Sequence, residues 1–188
     1  MKPANLPRAI AFDAFGTLLT YDGRRLNPYR HLIRASIDKQ PFLTRNASIA
    51  TFADELGVAH LLPLIEHELA IECATIRCFD DVAETLSWLR SCGVHLAVCS
   101  NLAQPYGEVV RRLLPNIPAV LSFELGAAKP APVIYRAVCE QLGCPPEKIL
   151  FIGDSRRADV DGPLAFGMQA RQIDRKHGQS LREVLTSQ

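Results

Sequence analysis

The stretch RAIAFDAFGTL, residues 8–18, decides the fold of this chain. It opens as a short, largely apolar run, which is typical of a buried strand, and the run ends at Asp13. A turn through Phe15, Gly16 and Thr17 follows. A carboxylate at a strand end can act as a nucleophile and can also bind a hard cation, while glycine lets backbone N–H groups approach an anion. Taken alone, the pattern is more typical of an Asp that caps or stabilises a turn.

Similar apolar runs recur along the chain and alternate with helical patterns. Further strands are predicted at residues 94–99, 119–121, 148–152 and 169–173. Helices are predicted at residues 80–92, with Asp80 as N-cap, and at residues 132–142. This alternation predicts an α/β fold: a Rossmann-like, doubly wound parallel sheet with helices on both faces.

Polar residues follow three of the predicted strands. Asp13 ends the first strand, Ser100 ends the second, and Gly153-Asp154 follows the strand at residues 148–152. In sheets of this kind, ligands bind beyond the carboxyl ends of the strands. We therefore expect Asp13, Ser100 and Asp154 to meet at one edge of the sheet.

The segment at residues 21–77 differs from the rest of the chain. It contains helical patterns at 49–56 and 61–76 but no convincing strand. It is too long for an ordinary crossover connection. We interpret it as a small all-helical cap, inserted between two parts of an α/β core at residues 1–20 and 78–188.

Composition narrows the class of protein. The chain has 188 residues, of which 48% are hydrophobic and 22% charged, with a net charge of +1. These values are typical of a soluble enzyme and give no reason to expect a nucleic-acid partner. No apolar run reaches the ~18 residues of a membrane span, and no secretion signal is visible, so we expect a cytoplasmic protein. The six cysteines form no C-x-x-C pair, which favours free thiols over a zinc site. Oligomeric state is not indicated.

Three more motifs carry polar chemistry. Ser100-Asn101 could bind an anionic oxygen or cap a helix, and Lys129, followed by proline, could neutralise a substrate's charge or lie in solvent. Asp154 and Asp159 could supply oxygen ligands to Mg²⁺ or cap a helix. Each structural reading is reasonable when the motif is taken alone.

The order of these motifs resembles that of the haloacid dehalogenase (HAD)-like hydrolase superfamily. The resemblance covers residues 8–18 and 80–173, including the Gly-x-x-x-x-Gly-Met element at residues 162–168. It implies an aspartate nucleophile, a small-molecule substrate, and a cap at the position of residues 21–77. The roles it implies are nucleophile for Asp13, binding of the transferred group for Thr17, Ser100 and Asn101, orientation of the nucleophile for Lys129, metal binding for Asp154, and support for Asp159.

Phe15 departs from the phosphatase pattern of this superfamily. Those phosphatases carry a second Asp there, which protonates the leaving oxygen. Such acid–base help is worth about 10²–10⁴-fold in rate. A halide needs no proton to leave, so Phe15 favours a reaction like that of the 2-haloacid dehalogenases, which work without metal. A dehalogenase would also use a cap arginine, for which the candidates are Arg24, Arg25, Arg30 and Arg34.

Asp154 favours the opposite reading. Asp13, Asp154 and the backbone carbonyl of Phe15 would together form a Mg²⁺ site, which the dehalogenases lack. The leading expectation is a Mg²⁺-dependent phosphohydrolase that acts on a small phosphorylated metabolite. The alternatives are a metal-independent 2-haloacid dehalogenase and a catalytically weak binding or regulatory protein with the same fold.

Overall fold

The computed structural model describes residues 6–186, and this part of the chain forms seven strands. In chain order they are β1 Ala9–Phe12, β2 Leu19–Tyr21, β3 Ile76–Cys78, β4 His95–Ser100, β5 Ala119–Leu121, β6 Ile149–Gly153 and β7 Gln169–Gln172. Five of them form a parallel sheet in the spatial order β5-β4-β1-β6-β7. This sheet confirms the predicted α/β fold and all five strands that the sequence indicated.

Helices lie between the strands and after the last one. They are α1 Arg30–Ala35, α2 Gln40–Thr44, α3 Ile49–Glu55, α4 Leu62–Thr75, α5 Val82–Ser91, α6 Gln104–Leu113, α7 Ser122–Leu125, α8 Pro132–Leu142, α9 Gly162–Phe166 and α10 Leu181–Thr186. Within residues 6–186, none of these helices has the length and apolar character needed to cross a bilayer. The six cysteines form no disulfide within the described residues.

Strand β1 lies at the centre of the sheet, and its position accounts for the apolar run at residues 9–12. It pairs with β4 on one side and β6 on the other, and all four of its residues are fully buried. Ile10 and Phe12 pack into the core on one face, whereas Ala9 and Ala11 pack into the core on the other. A strand that is buried on both faces has no polar alternation, because both sets of side chains leave water.

The antiparallel pair β2–β3 was not predicted. Leu19 pairs with Cys78 and Tyr21 with Ile76, so the expectation that residues 21–77 hold no strand was wrong. The pair brings together the two ends of a helical segment, residues 22–75, that contains α1 to α4. The predicted helices at 49–56 and 61–76 are present as α3 and α4.

The predicted N-cap of helix α5 was also wrong. The helix begins one residue later than the Asp80 cap requires, with Asp81 at the N-cap position. Asp80 lies exposed and pairs with Arg77 at 3.0 Å. Asp81 accepts a hydrogen bond from the backbone N–H of Leu181 at 2.7 Å and pairs with Arg175 at 3.0 Å. Local sequence gives no sign of these distant partners of Asp81.

Candidate active site

Asp13 and Lys129 form a buried ion pair at the carboxyl end of β1. The Lys129 ammonium donates to Oδ1 of Asp13 at 2.7 Å, to Oδ1 of Asp159 at 2.7 Å and to the backbone carbonyl of Cys99 at 2.8 Å. Burial lowers the pKa of Lys129, but the charges of Asp13 and Asp159 outweigh it and hold this pKa above its ordinary value. Lys129 is therefore a fixed positive charge beside Asp13.

Ser100 ends β4, Asn101 follows it, and the two side chains contact the same ion pair in different ways. The Ser100 hydroxyl donates to Oδ1 of Asp13 at 3.0 Å. The Asn101 side chain binds the backbone of Lys129 twice: its Nδ2 donates to the carbonyl at 2.9 Å, and its Oδ1 accepts from the N–H at 2.7 Å. Asn101 thus fixes the Lys129 loop, and it also lies in the lining of the cavity at this site.

Three carboxylates converge at this edge of the sheet. Asp13, Asp154 and Asp159 each place an oxygen within 4.8 Å of the others. Burial and then the charge of Asp13 raise the pKa of Asp154. Burial also raises the pKa of Asp159 to about 6, although Lys129 opposes the shift.

The cluster has the charge and chemistry of a divalent-cation site. Three carboxyl groups lie around a single ammonium, so acidic groups outnumber basic groups in this cluster. Carboxylate oxygens are the ligands that Mg²⁺ prefers. Asp159 already uses Oδ1 on Lys129 and Oδ2 on the backbone N–H of Ser155, the latter at 2.9 Å. Asp13 and Asp154 therefore fit the ligand positions, with Asp159 supporting Lys129.

Gly16 allows the nucleophile turn to lie against Asp154. Its φ is +79°, and a Cβ at this position would lie 2.3 Å from Oδ2 of Asp154. Any side chain here would be strained in its backbone and would collide with the carboxylate. The glycine that marks the turn in the sequence thus also positions the acidic cluster.

Phe15 places an aromatic ring where a phosphatase of this resemblance would hold its acid. The ring stacks on Tyr21 with centroids 5.6 Å apart and meets the edge of Tyr106 at 5.8 Å. The ring has no proton to exchange, so this position supplies apolar surface and no acid.

Thr17 does not reach the cavity at this site. It is fully buried, its hydroxyl lacks a hydrogen-bond partner within the described residues, and it is absent from the cavity lining. Its carbonyl instead accepts two hydrogen bonds from Arg175, at 3.0 and 2.8 Å. Sequence reasoning missed this anchor of the nucleophile turn, since nothing near Arg175 indicates a partner 158 positions away.

A cavity of about 390 Å³ opens above Asp13. One side is polar and includes Ser100, Lys129 and Asp154. The apolar part of the lining, here called the aromatic wall, combines side chains of the helical segment with side chains from the nucleophile turn, β2 and α6. Its aromatic members, which sequence reasoning missed, are Phe15, Tyr21, Tyr29, Phe42 and Tyr106.

One of the four candidate cap arginines lines this cavity. Arg25 does so, with its guanidinium 5.3 Å from the Tyr21 ring centroid and 3.9 Å from the Glu72 carboxylate. Arg30 pairs with Glu68 instead. Arg24 and Arg34 are exposed and lie outside the lining.

The fold and the site define an α/β enzyme whose carboxylates and lysine gather at the carboxyl edge of a parallel sheet. Residues 7–167 match the model of the haloacid dehalogenase-like hydrolase family. The chain belongs to this hydrolase family, which confirms the resemblance carried by its motifs.

Individual relatives include both phosphatases and dehalogenases. A glyceraldehyde 3-phosphate phosphatase of Methanopyrus kandleri is 35% identical over 106 residues, which is 54% of this chain and 46% of that protein. (S)-2-haloacid dehalogenase 4A of Burkholderia cepacia is 31% identical over 104 residues, or 52% and 44% of the two proteins. The chain thus spans about half the length of these curated relatives.

A solved structure shares the fold along nearly the whole chain. It is a HAD family enzyme of Bacteroides thetaiotaomicron in complex with magnesium and inorganic phosphate. The TM-score is 0.71 at 18% identity, with 93% of this chain and 97% of that chain covered. At this identity the likeness shows the fold alone.

Proposed function

We propose that the protein is a Mg²⁺-dependent phosphohydrolase that acts on a small phosphorylated metabolite. The convergence of Asp13, Asp154 and Asp159 within 4.8 Å carries this proposal. A metal-free dehalogenase gains nothing from Asp154, because a second carboxylate repels the charge of the nucleophile. A phosphatase uses the same carboxylate to hold a cation.

Asp13 is the proposed nucleophile. Ser100 and Lys129 both donate to its Oδ1, which leaves Oδ2 to attack the substrate. Oδ2 bonds to phosphorus, and the bond from phosphorus to the leaving oxygen breaks with its electron pair on that oxygen. Water then attacks phosphorus, the bond to Asp13 breaks, and inorganic phosphate leaves.

Mg²⁺ would be held by Asp13, Asp154 and the backbone carbonyl of Phe15. When bound there, it supplies charge neutralisation for the phosphoryl oxygens. Lys129 orients Asp13 and offsets negative charge, and Asp159 holds Lys129 in place. Since Asn101 is bound to the Lys129 backbone, we assign it a positioning role.

Substrate choice follows from Phe15 and from the helical segment. Without an acid at Phe15, an alkoxide leaving group loses about 10²–10⁴-fold in rate, so activated esters and acyl phosphates are favoured. We also propose that residues 21–77 act as the cap over a core at 1–20 and 78–188. This segment contributes Tyr29 and Phe42 to the cavity wall.

Phosphate release from acetyl phosphate and para-nitrophenyl phosphate tests the proposal. We expect release with Mg²⁺, none after chelation, and none from the Asp13→Asn variant in either condition. Asp54→Asn, at an exposed position on α3, is the matched control and should retain full activity. Absence of release from both substrates with Mg²⁺ would contradict the proposal.

A 2-haloacid dehalogenase is the second candidate, and the position of Arg25 favours it. Arg25 and the apolar wall line one cavity with Asp13, which suits a small haloacid. This candidate predicts metal-free halide release from 2-chloropropionate, abolished by Asp13→Asn and weakened by Arg25→Leu. The phosphohydrolase proposal predicts no halide release.

A further inference from the structure

The lining of the cavity above Asp13 combines the polar groups around Asp13 with an aromatic wall, and it also includes Arg25 and Lys39. Five rings form a connected series in that wall: Tyr21 meets Phe15, Phe15 meets Tyr106, Tyr106 meets Tyr29 and Tyr29 meets Phe42, with centroids 5.6 to 6.2 Å apart. The cavity therefore fits a molecule with an anionic end and a flat apolar end.

Two of the tyrosine hydroxyl groups in this wall are turned to other partners or buried, so they add little polar surface to the cavity. Tyr106 donates its hydroxyl to the buried carboxylate of Glu72 at 2.7 Å. Glu72, which lies in α4, also accepts a hydrogen bond from the backbone N–H of Asn27. This bond ties α4 to the start of the helical segment. The Tyr29 hydroxyl is itself buried and has no hydrogen-bond partner within residues 6–186. Tyr106 and Tyr29 thus offer mainly ring carbon to a ligand.

Phe15 joins the aromatic wall to the chemistry at Asp13. It removes the general acid from the site and adds a ring next to the nucleophile turn. Because Phe15 cannot supply a proton, a leaving group that is stable as an anion is favoured. A phenol-type hydroxyl, with a pKa of about 10, forms its anion far more readily than water, whose pKa is about 15.7 and resembles that of an alcohol.

We propose that the substrate is an aryl phosphate, a phosphoryl group on an aromatic hydroxyl, whose ring packs against Phe15, Tyr21 and Tyr106. This inference rests on the proposed phosphohydrolase function and names its substrate class. Oδ2 of Asp13 bonds to phosphorus while the phosphorus–oxygen bond to the ring breaks, and the electron pair leaves on the phenolate. Water then releases phosphate from Asp13, and its two protons go to the phosphate and the phenolate.

Three substrates separate ring recognition from leaving-group activation. Phenyl phosphate has both features, cyclohexyl phosphate has a similar size but a poor leaving group, and acetyl phosphate is activated but has no ring. With Mg²⁺, we expect kcat/KM for phenyl phosphate to exceed that for cyclohexyl phosphate at least 100-fold. We expect the KM of phenyl phosphate to be at least 10-fold below that of acetyl phosphate.

Variants of the wall test the packing itself. In Phe15→Leu and Tyr21→Leu, the ratio of kcat/KM for phenyl phosphate to that for acetyl phosphate should fall about 3- to 10-fold, the usual worth of an aromatic pair. Phe166→Leu is the matched control, because Phe166 lies outside this cavity and packs on Tyr135. Its ratio should equal that of the wild type. If Phe15→Leu does not fold, Tyr21→Leu and the wild-type comparison still decide.

The outcomes distinguish this inference from the function on which it rests. Mg²⁺-dependent hydrolysis of acetyl phosphate without a preference for phenyl over cyclohexyl phosphate overturns the aryl assignment and leaves the phosphohydrolase intact. An unchanged ratio in the Phe15 and Tyr21 variants also overturns it. Hydrolysis of none of the three substrates overturns both.

Discussion

Replacing Lys129 with methionine should destabilise the protein strongly. The ammonium makes three hydrogen bonds within 2.8 Å, and its side chain is only 2% exposed. Without it, Asp13 and Asp159 remain beside each other with no cation, and Asp159 is 1% exposed. Removing one partner of a buried ion pair costs about 3–5 kcal/mol, because the remaining charge stays buried without compensation. For a chain of this size, that corresponds to a fall in Tm of about 6–20 °C.

Urea denaturation measures this loss directly. Lys148→Met is the matched control, since Lys148 is exposed, and its free energy of unfolding should stay within about 0.5 kcal/mol of the wild type. The double variant Lys129→Met/Asp159→Asn should recover at least half of the loss, because it removes one buried charge and keeps an acceptor for Ser155. It should remain inactive, since Asp13 is still not oriented. A single variant within about 1 kcal/mol of the wild type would refute the reasoning.

Three further substitutions test the neighbours of Asp13. Phe15→Asp should raise kcat/KM for alkyl phosphates such as glycerol phosphate about 10²-fold by restoring an acid, and unchanged rates would contradict the role given to Phe15. Asn101→Ala removes the partner of two polar groups in the Lys129 backbone. It should lower the free energy of unfolding, measured in urea, by about 1–3 kcal/mol and should also lower kcat. An unchanged kcat would argue against a positioning role. Gly16→Ala should raise the Mg²⁺ concentration for half-maximal activity at least 10-fold. Gly93→Ala is the control, because Gly93 also has a positive φ but a Cβ there would meet nothing within 4 Å. It should lower stability and leave the Mg²⁺ dependence unchanged.

The sheet and its polar edge follow from local sequence. Apolar runs that end in Asp13, Ser100 and Asp154 indicate parallel strands and the edge at which their side chains meet. Lys129 and Asp159 were found through the order of the motifs. Each of these signals lies within a few neighbouring residues, so sequence reasoning could reach it.

Pairing between distant segments could not be predicted, because local sequence patterns report only on neighbouring residues. Strands β2 and β3 have three residues each, and they pair across the whole helical segment. Local sequence favoured Asp80 over Asp81 as the N-cap, because the partners of Asp81 lie far along the chain, in and before α10. The aromatic wall combines the nucleophile turn, β2, α2, α6 and the residue before α1, and no local pattern joins such scattered rings.

The central claim is that Asp13 takes a phosphoryl group from the substrate, and the most direct test is to find which bond water breaks when it releases Asp13. Turnover of para-nitrophenyl phosphate in heavy-oxygen water, followed by mass spectrometry of the peptide that carries Asp13 and of the released phosphate, reports where water attacks. Attack on phosphorus places the heavy oxygen in phosphate and leaves Asp13 unlabelled, which is the result we predict with Mg²⁺ present. Turnover of 2-chloropropionate that places the heavy oxygen in the Asp13 carboxylate would contradict the account, because water would then attack the carbonyl carbon of an ester formed by displacing a halide.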